Sequence, residues 1–276
     1  MDAPINHIFF PISFPELYAA WSRFPAAVPY AGGTNLIGRQ ENNILNLPPA
    51  FLCLDKIDEL HNITRTEHYL EIGAMVKLNS LLRLGKTVPG IICRSLANIA
   101  GVQVRNIATI GGNICSPLLL DLPAPLIALD AQYELRNAQN SRWVSAARFH
   151  SKSENTGINS QEILTRIRLP LHQWDYSTYK KFYNRDLDFS ETLVFLANAQ
   201  KNILSEIRVV YKSNIIIRNK EAETILNGKY LPLNKKNADE FMENWKNYLL
   251  NYNDISEFSK TALLSSIEDN IHNLSE

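Results

Sequence analysis

Two short stretches hold the residues best suited to chemistry: Ala31-Gly32-Gly33-Thr34-Asn35-Leu36 and Thr109-Ile110-Gly111-Gly112-Asn113. Each sets a glycine pair beside a Thr and an Asn, and each follows an apolar, strand-like run. A glycine pair tolerates φ > 0 and leaves no Cβ in the way. Successive backbone N–H groups can then converge on one anion. Thr hydroxyls and Asn amides add donors that reach phosphate oxygens. One such loop can hold a phosphate, and two facing loops can hold a pyrophosphate.

Neither loop matches a common nucleotide fingerprint. There is no GxxxxGK[ST], so no lysine meets a γ-phosphate. There is no GxGxxG with an acidic partner further along the chain, so the Rossmann pattern is absent. Glycine pairs also mark tight turns between strands, and the residues alone leave both readings open.

The other candidates read as structural. His7, His61, His68, His150, His172 and His272 are scattered, with no metal-spaced pair, and read as surface or capping residues. Cys53, Cys93 and Cys115 form no CxxC, which disfavours a disulfide framework, a structural zinc site and a self-contained iron–sulfur cluster. Cys115 reads as a small buried apolar residue, because nothing basic adjoins it to make a thiolate. Arg105 reads as a brace for the turn before the second glycine loop. The 276 residues carry 28 Lys+Arg against 28 Asp+Glu, with 45% hydrophobic residues. That composition excludes a disordered chain and a nucleic-acid binder working by phosphate neutralisation. No stretch reaches the roughly 18 apolar residues of a membrane span. No leader pattern precedes residue 12, and a cytoplasmic protein is expected.

The elements that must position the loops follow from periodicity. Ser13-Phe14-Pro15-Glu16 fits a capping box. Leu17, Ala20, Trp21 and Phe24 continue as one apolar helical face until Pro25. Val28-Pro29-Tyr30-Ala31 predicts a short buried strand entering the first loop. Asn46-Leu47 and Phe51-Leu52-Cys53-Leu54 predict two more, giving β-α-β-β up to about Asp58. Residues 69–74 and 132–136 alternate as strands; 78–84 and 91–99 read as helices. Residues 137–160 are polar and read largely as loop. Residues 162–169 form the cleanest strand, with Ile163, Thr165, Ile167 and Leu169 on one face. Residues 192–199 and 207–211 predict an antiparallel sheet. After Pro232 come two amphipathic helices, with stripes Phe241, Trp245, Tyr248, Leu249, Tyr252 and Phe258, Ala262, Leu263, Ile267, Ile271. The aromatic stripe reads as core rather than cofactor box. Strands and helices mix without strict alternation, so the fold class is α+β.

Taken together, these segments resemble a known family. AGGTNL at 31–36, QVRNIATIGGNIC at 103–115 and the following SPLLLDLPAPLIALDA are similar to the FAD-binding medium subunit of the molybdenum hydroxylases, the xanthine dehydrogenase and aerobic carbon monoxide dehydrogenase type. The resemblance continues in IGAMVKLNSL at 72–81, EILTRIRLP at 162–170, YKKFYNRDLDFSETLVFLANA at 179–199 and IRNKEAETILNG at 217–228. It implies a vanillyl-alcohol-oxidase or PCMH-type FAD-binding fold with a C-terminal sheet-and-helix domain. The implied segments are an N-terminal α/β subdomain at 1–58, a middle α+β subdomain at 59–170, and an antiparallel sheet plus helices at 171–276.

Carried onto this sequence, the resemblance puts Ala31, Gly32, Gly33, Thr34, Asn35 and Leu36 around the FAD pyrophosphate. Thr109, Gly111, Gly112 and Asn113 hold it from the other side. Asp121 falls where the family places a carboxylate on ribityl or ribose hydroxyls, Leu164 on a strand residue packed near the cofactor, and Lys181 on a lysine near the flavin. The sequence departs from the pattern twice. Only Ile114 and Cys115 separate Asn113 from Ser116, and an extra residue precedes Asp121, so this loop is rebuilt. The basic run after the lysine reads Tyr183-Asn184-Arg185-Asp186 here. The implied function is electron transfer: from [2Fe–2S] clusters on a small subunit, through FAD, to NAD+ or another acceptor. Hydroxylation itself belongs to a molybdopterin-binding large subunit. No side chain of this chain need act as acid or base. A self-sufficient FAD oxidase and an assembly subunit without FAD are the two alternatives.

Overall fold

The computed structural model describes residues 7–38, 47–151, 157–183 and 190–275. The chain divides into two compact units: residues 1–122 with 129–171, and residues 123–128 with 172–276.

The first unit opens with β1 (His7–Phe9), α1 (Phe14–Arg23), β2 (Val28–Tyr30), α2 (Thr34–Gly38) and β3 (Ala50–Cys53). The strands form a parallel sheet in the order β1-β3-β2. α1 starts as its sequence dictates. Ser13 caps it by accepting from the Glu16 N–H, and Glu16 reaches back to the Ile12 N–H at 3.0 Å. Phe14, Leu17 and Trp21 go into a core with Leu52, Ile57 and Leu60. β2 was expected to be buried, yet Val28 is 42% exposed. It is an edge strand, and Val28 and Pro29 line a cavity instead of a core. The expected strand at Asn46-Leu47 does not appear at Leu47, and Asn46 lies outside the described residues. β1 and α2 were not foreseen, because each is too short to show a period.

A five-stranded antiparallel sheet follows, in the order β4-β5-β8-β6-β7, from β4 (Ile63–Arg65), β5 (Tyr69–Gly73), β6 (Gln132–Arg136), β7 (Ser141–Ser145) and β8 (Ile163–Pro170). Between β5 and β6 run α3 (Leu78–Arg83), α4 (Gly90–Ala97), α5 (Val102–Arg105) and α6 (Ile110–Ile114). β7 and α8 (Ala146–Phe149) fall inside the stretch read as loop. Val144 is buried, Trp143 lies under the Arg168 guanidinium at 4.1 Å, and the Ser145 hydroxyl accepts from the Arg148 N–H to start the helix. On one face of the sheet, Glu134 is buried and takes both Arg166 Nε and Nη2 at 2.7 Å. The Arg166 guanidinium holds the Glu134 carboxyl below the usual carboxylate range.

The second unit holds α7 (Pro123–Ala128), whose residues are all buried, against β10 (Glu191–Gln200) and β11 (Ile203–Lys212). With β9 (Tyr176–Phe182) and β12 (Ile216–Arg218) these make an antiparallel sheet in the order β12-β11-β10-β9. α9 (Lys220–Leu226), α10 (Lys235–Leu249) and α11 (Glu257–Asn273) complete it. The aromatic stripe is core, with Phe241 and Trp245 wholly buried. The second stripe buries Leu263, Ile267 and Ile271, but Phe258 is 68% exposed. Phe258 sits in the first turn of α11, before the helix meets the core.

Candidate functional site

The two glycine loops meet within the first unit. β2 runs into the first loop, where Gly33 takes φ +67°. A side chain on Gly33 would strike the Tyr30 hydroxyl. The chain then enters α2, whose first turn leaves the Thr34 and Asn35 N–H groups without intrahelical acceptors. Those are the donors such a turn can aim at an anion. Gly32 lies against the Ile107 carbonyl, which a Cβ would strike. The first loop's backbone therefore packs against the residues that lead into the second. Asn35 Nδ2 donates to Ser116 Oγ at 2.9 Å, tying the first loop to the chain just past the second.

The second loop is organised differently. Thr109 caps α6, its Oγ1 accepting from the Gly112 N–H at 3.0 Å. The Ile110 and Gly111 N–H groups donate to the Val76 and Ala74 carbonyls at 3.0 and 2.9 Å. Asn113 N–H donates to the Thr109 carbonyl, and Asn113 Oδ1 accepts from the buried Leu122 N–H at 3.2 Å. Thus Thr109 and Asn113 spend their side-chain oxygens on their own backbone. Arg105 braces the approach, donating from Nη1 to the Ile99 and Ala100 carbonyls at 2.7 and 2.6 Å.

A cavity of about 310 Å³ opens beside the loops. Of the expected site residues, Ala31, Gly111, Gly112 and Leu164 line it. Gly32, Gly33, Thr34, Asn35 and Leu36 continue from Ala31 into α2, beyond the lining. Asp121 is buried outside the lining, its carbonyl accepting from Ser95 Oγ at 3.4 Å. Lys181 belongs to the second unit, on β9 opposite Thr192. Asn184, Arg185 and Asp186 lie outside the described residues.

Sequence reasoning passed over several lining residues. Trp21, read only as part of a helix face, forms one wall, and the segment from Ile158 to Glu162 forms another. No motif marks that segment. The one clue was Glu162, a carboxylate at the start of the 162–169 strand. Cys115, expected to be buried, is half-buried and lines the cavity, and desolvation pushes its thiol up to about 12. It stays protonated, as its apolar surroundings suggested. His150 takes the capping half of its reading, as the C-cap of α8, and is half-buried there. It packs edge-on to Tyr133 and Phe149, with Nε2 3.4 Å from the Tyr133 hydroxyl. Burial lowers its pKa to about 4.

The volume is at the lower end of small-ligand pockets, which run to roughly 1,000 Å³. It suits part of a dinucleotide, with the rest left to the loops. The lining is mainly apolar, with Trp21 its aromatic member, and Gly111 and Gly112 leave their stretch of the wall without side chains. Residues 4–172 match the model of the FAD binding domain in molybdopterin dehydrogenase. The chain belongs to that family. Both glycine loops and the whole cavity lining fall inside the matched residues, so the residues present fit the FAD that defines the family.

The chain is 30% identical over 187 residues to the glyceraldehyde dehydrogenase medium chain of Sulfolobus acidocaldarius, covering 66% of each. It is 27% identical over 242 residues to xanthine dehydrogenase 2 of Arabidopsis thaliana. That match covers 79% of this chain but only 18% of the plant protein, so the chain spans less than two thirds of both relatives. Reconstituted CO dehydrogenase from Oligotropha carboxidovorans contains a chain of the same fold. The TM-score is 0.83 at 21% identity, covering 100% of this chain and 99% of that one. The fold is the α+β FAD-binding fold. Among the described residues, no helix is long and apolar enough to cross a membrane.

Proposed function

We propose that this chain is the FAD-carrying electron-transfer subunit of a molybdenum hydroxylase complex. The observation that carries the proposal is the family match, which contains both glycine loops and the adjoining cavity. The relative named a medium chain supports a place beside other subunits. So do the three cysteines, too few to supply a four-thiolate cluster. We assign a molybdopterin-binding large subunit and a [2Fe–2S] small subunit as partners, and NAD+ or another small oxidant as acceptor.

Bound FAD accepts an electron pair or passes single electrons, so it couples one-electron clusters to a two-electron acceptor. The chain's own residues bind and orient. Ala31 to Leu36 would take the pyrophosphate through the Thr34 and Asn35 N–H groups. Thr109, Gly111, Gly112 and Asn113 would form the opposite support, chiefly by keeping its backbone rigid and free of side chains. Leu164 and Trp21 would exclude water from the cavity. Asp121 and Lys181 are assigned polar roles toward the cofactor on the family pattern alone. The cofactor would lie between segments 1–58 and 59–170, with 171–276 completing the subunit.

The test is reduction of the flavin within the purified complex. Substrate of the large subunit should bleach the flavin's visible absorbance, and the isolated chain should show no bleaching with the same substrate. An isolated chain that oxidises small alcohols or amines at ordinary enzyme rates would instead identify a self-sufficient oxidase.

A further inference from the structure

The segment 157–162, which gives Ile158, Asn159, Gln161 and Glu162 to the cavity wall, has neither helix nor strand to hold it. It contains two left-handed positions, Gly157 at φ +65° and Gln161 at φ +57°. The second is unfavourable for a residue with a side chain, by about 1 kcal/mol or more. Such a segment keeps one shape only if its surroundings fix it. Here one guanidinium does so. Arg142, on β7, donates from Nη2 to the Gly157 carbonyl at 2.8 Å, the start of the wall. It also grips the Glu162 carboxylate at the end of the wall, from Nε at 2.9 Å and from Nη2 at 2.8 Å. Glu162 Oε2 additionally accepts from the Asn159 N–H, in the middle of the wall, at 2.8 Å. Both ends and the centre of the segment are therefore tied to one ion pair.

The electrostatics point the same way. Among the described residues lining the cavity, Glu162 alone is charged. Its side chain is 3% exposed, while that of Arg142 is 39% exposed and reaches in from outside. An uncompensated carboxylate in that wall would repel an anionic dinucleotide and would itself be costly to bury. Arg142 cancels it in bidentate geometry, which a lysine cannot reproduce.

We propose that Arg142 and Glu162 are positioning residues for the cofactor. They latch the 157–162 wall and neutralise it, and so set how tightly the chain retains FAD. This rests on the reading that the cavity takes part of the FAD. Neither side chain need touch the reacting atoms.

The experiment is FAD titration of flavin-stripped protein, followed by flavin fluorescence, alongside the thermal unfolding midpoint of the same stripped protein. Arg142→Met should weaken FAD binding about tenfold or more, the size of a coupling between directly bonded groups. Arg142→Lys keeps the charge but loses the fork and should fall between the Met variant and the native chain. Adding Glu162→Gln to Arg142→Met removes the stranded charge and should recover part of the lost affinity, which a purely structural loss would not. If Arg142→Met does not fold, the Lys variant and the double variant carry the same comparison. Native FAD affinity in Arg142→Met or Arg142→Lys, with only the unfolding midpoint lowered, overturns the proposal. A double variant no tighter than the single one overturns the charge argument. Failure of the unaltered chain to bind FAD at all would be a failure of the cavity assignment, and the unaltered chain's own titration reveals it.

Discussion

His150, read from sequence as a surface or capping residue, caps α8 and shows what burial does to a histidine there. Its ring is stacked edge-on between Tyr133 and Phe149, and its pKa falls from 6.5 to about 4 because the charged form loses water. The sign of the consequence is fixed. Between pH 6.5 and about 4 the unfolded chain binds a proton that the folded chain does not. Folded stability therefore falls as the pH is lowered through that window, by about 1–3 kcal/mol, and the residue contributes no pH slope above it. Urea unfolding at pH 7 and pH 5 should show this loss, and His150→Gln should flatten it. An unchanged slope in the variant would mean that the ring is already solvated. The sequence offered His150 a capping role but not its desolvation, because Tyr133 comes from β6 while only Phe149 is a chain neighbour. Arg105, by contrast, was legible: its partners lie within six residues, so its bracing role followed from local order.

Elements were legible where they repeat a period. β8 and the two long C-terminal helices show theirs over seven or more residues, and they form where expected. β7 and α8 were hidden in a polar stretch, because their buried faces comprise only a few residues. α7 was hidden because it is short and carries Pro123 and Pro125 in its first turn, where proline is acceptable but gives no helical period. The glycine loops were legible as anion-binding candidates, but their division of labour was not. Hydrogen bonds from Ile110, Gly111 and Gly112 to Val76, Ala74 and Thr109 decide it, and those are tertiary or conformational facts. The consequence can be tested at the second loop. A Cβ on Gly112 would lie 2.9 Å from Thr109 Oγ1 and 3.8 Å from the Ala31 Cβ. Gly112→Asp therefore disturbs the α6 cap and puts a carboxylate between the two loops. Purified Gly112→Asp protein should carry no flavin, and unchanged FAD occupancy would remove the second loop from the cofactor site.

At the scale of the whole molecule, equal numbers of positive and negative side chains take on a definite meaning. In the proposed site a dinucleotide would meet helix-start N–H groups and a cavity wall neutralised by its own ion pair, with no basic patch required. Composition shows the absence of a basic excess, but not the ion pair in the cavity wall. The excursion of residues 123–128 into the second unit was equally invisible, since no local signal reports which sheet a buried helix will cover. The central claim is that this architecture holds FAD for electron transfer. Its most direct test is the flavin content of the purified full chain, read from its visible spectrum and from the nucleotide released on denaturation. The expected result is one FAD per chain, retained through purification or regained on adding FAD. A colourless chain that binds none, even with FAD in excess, would contradict it.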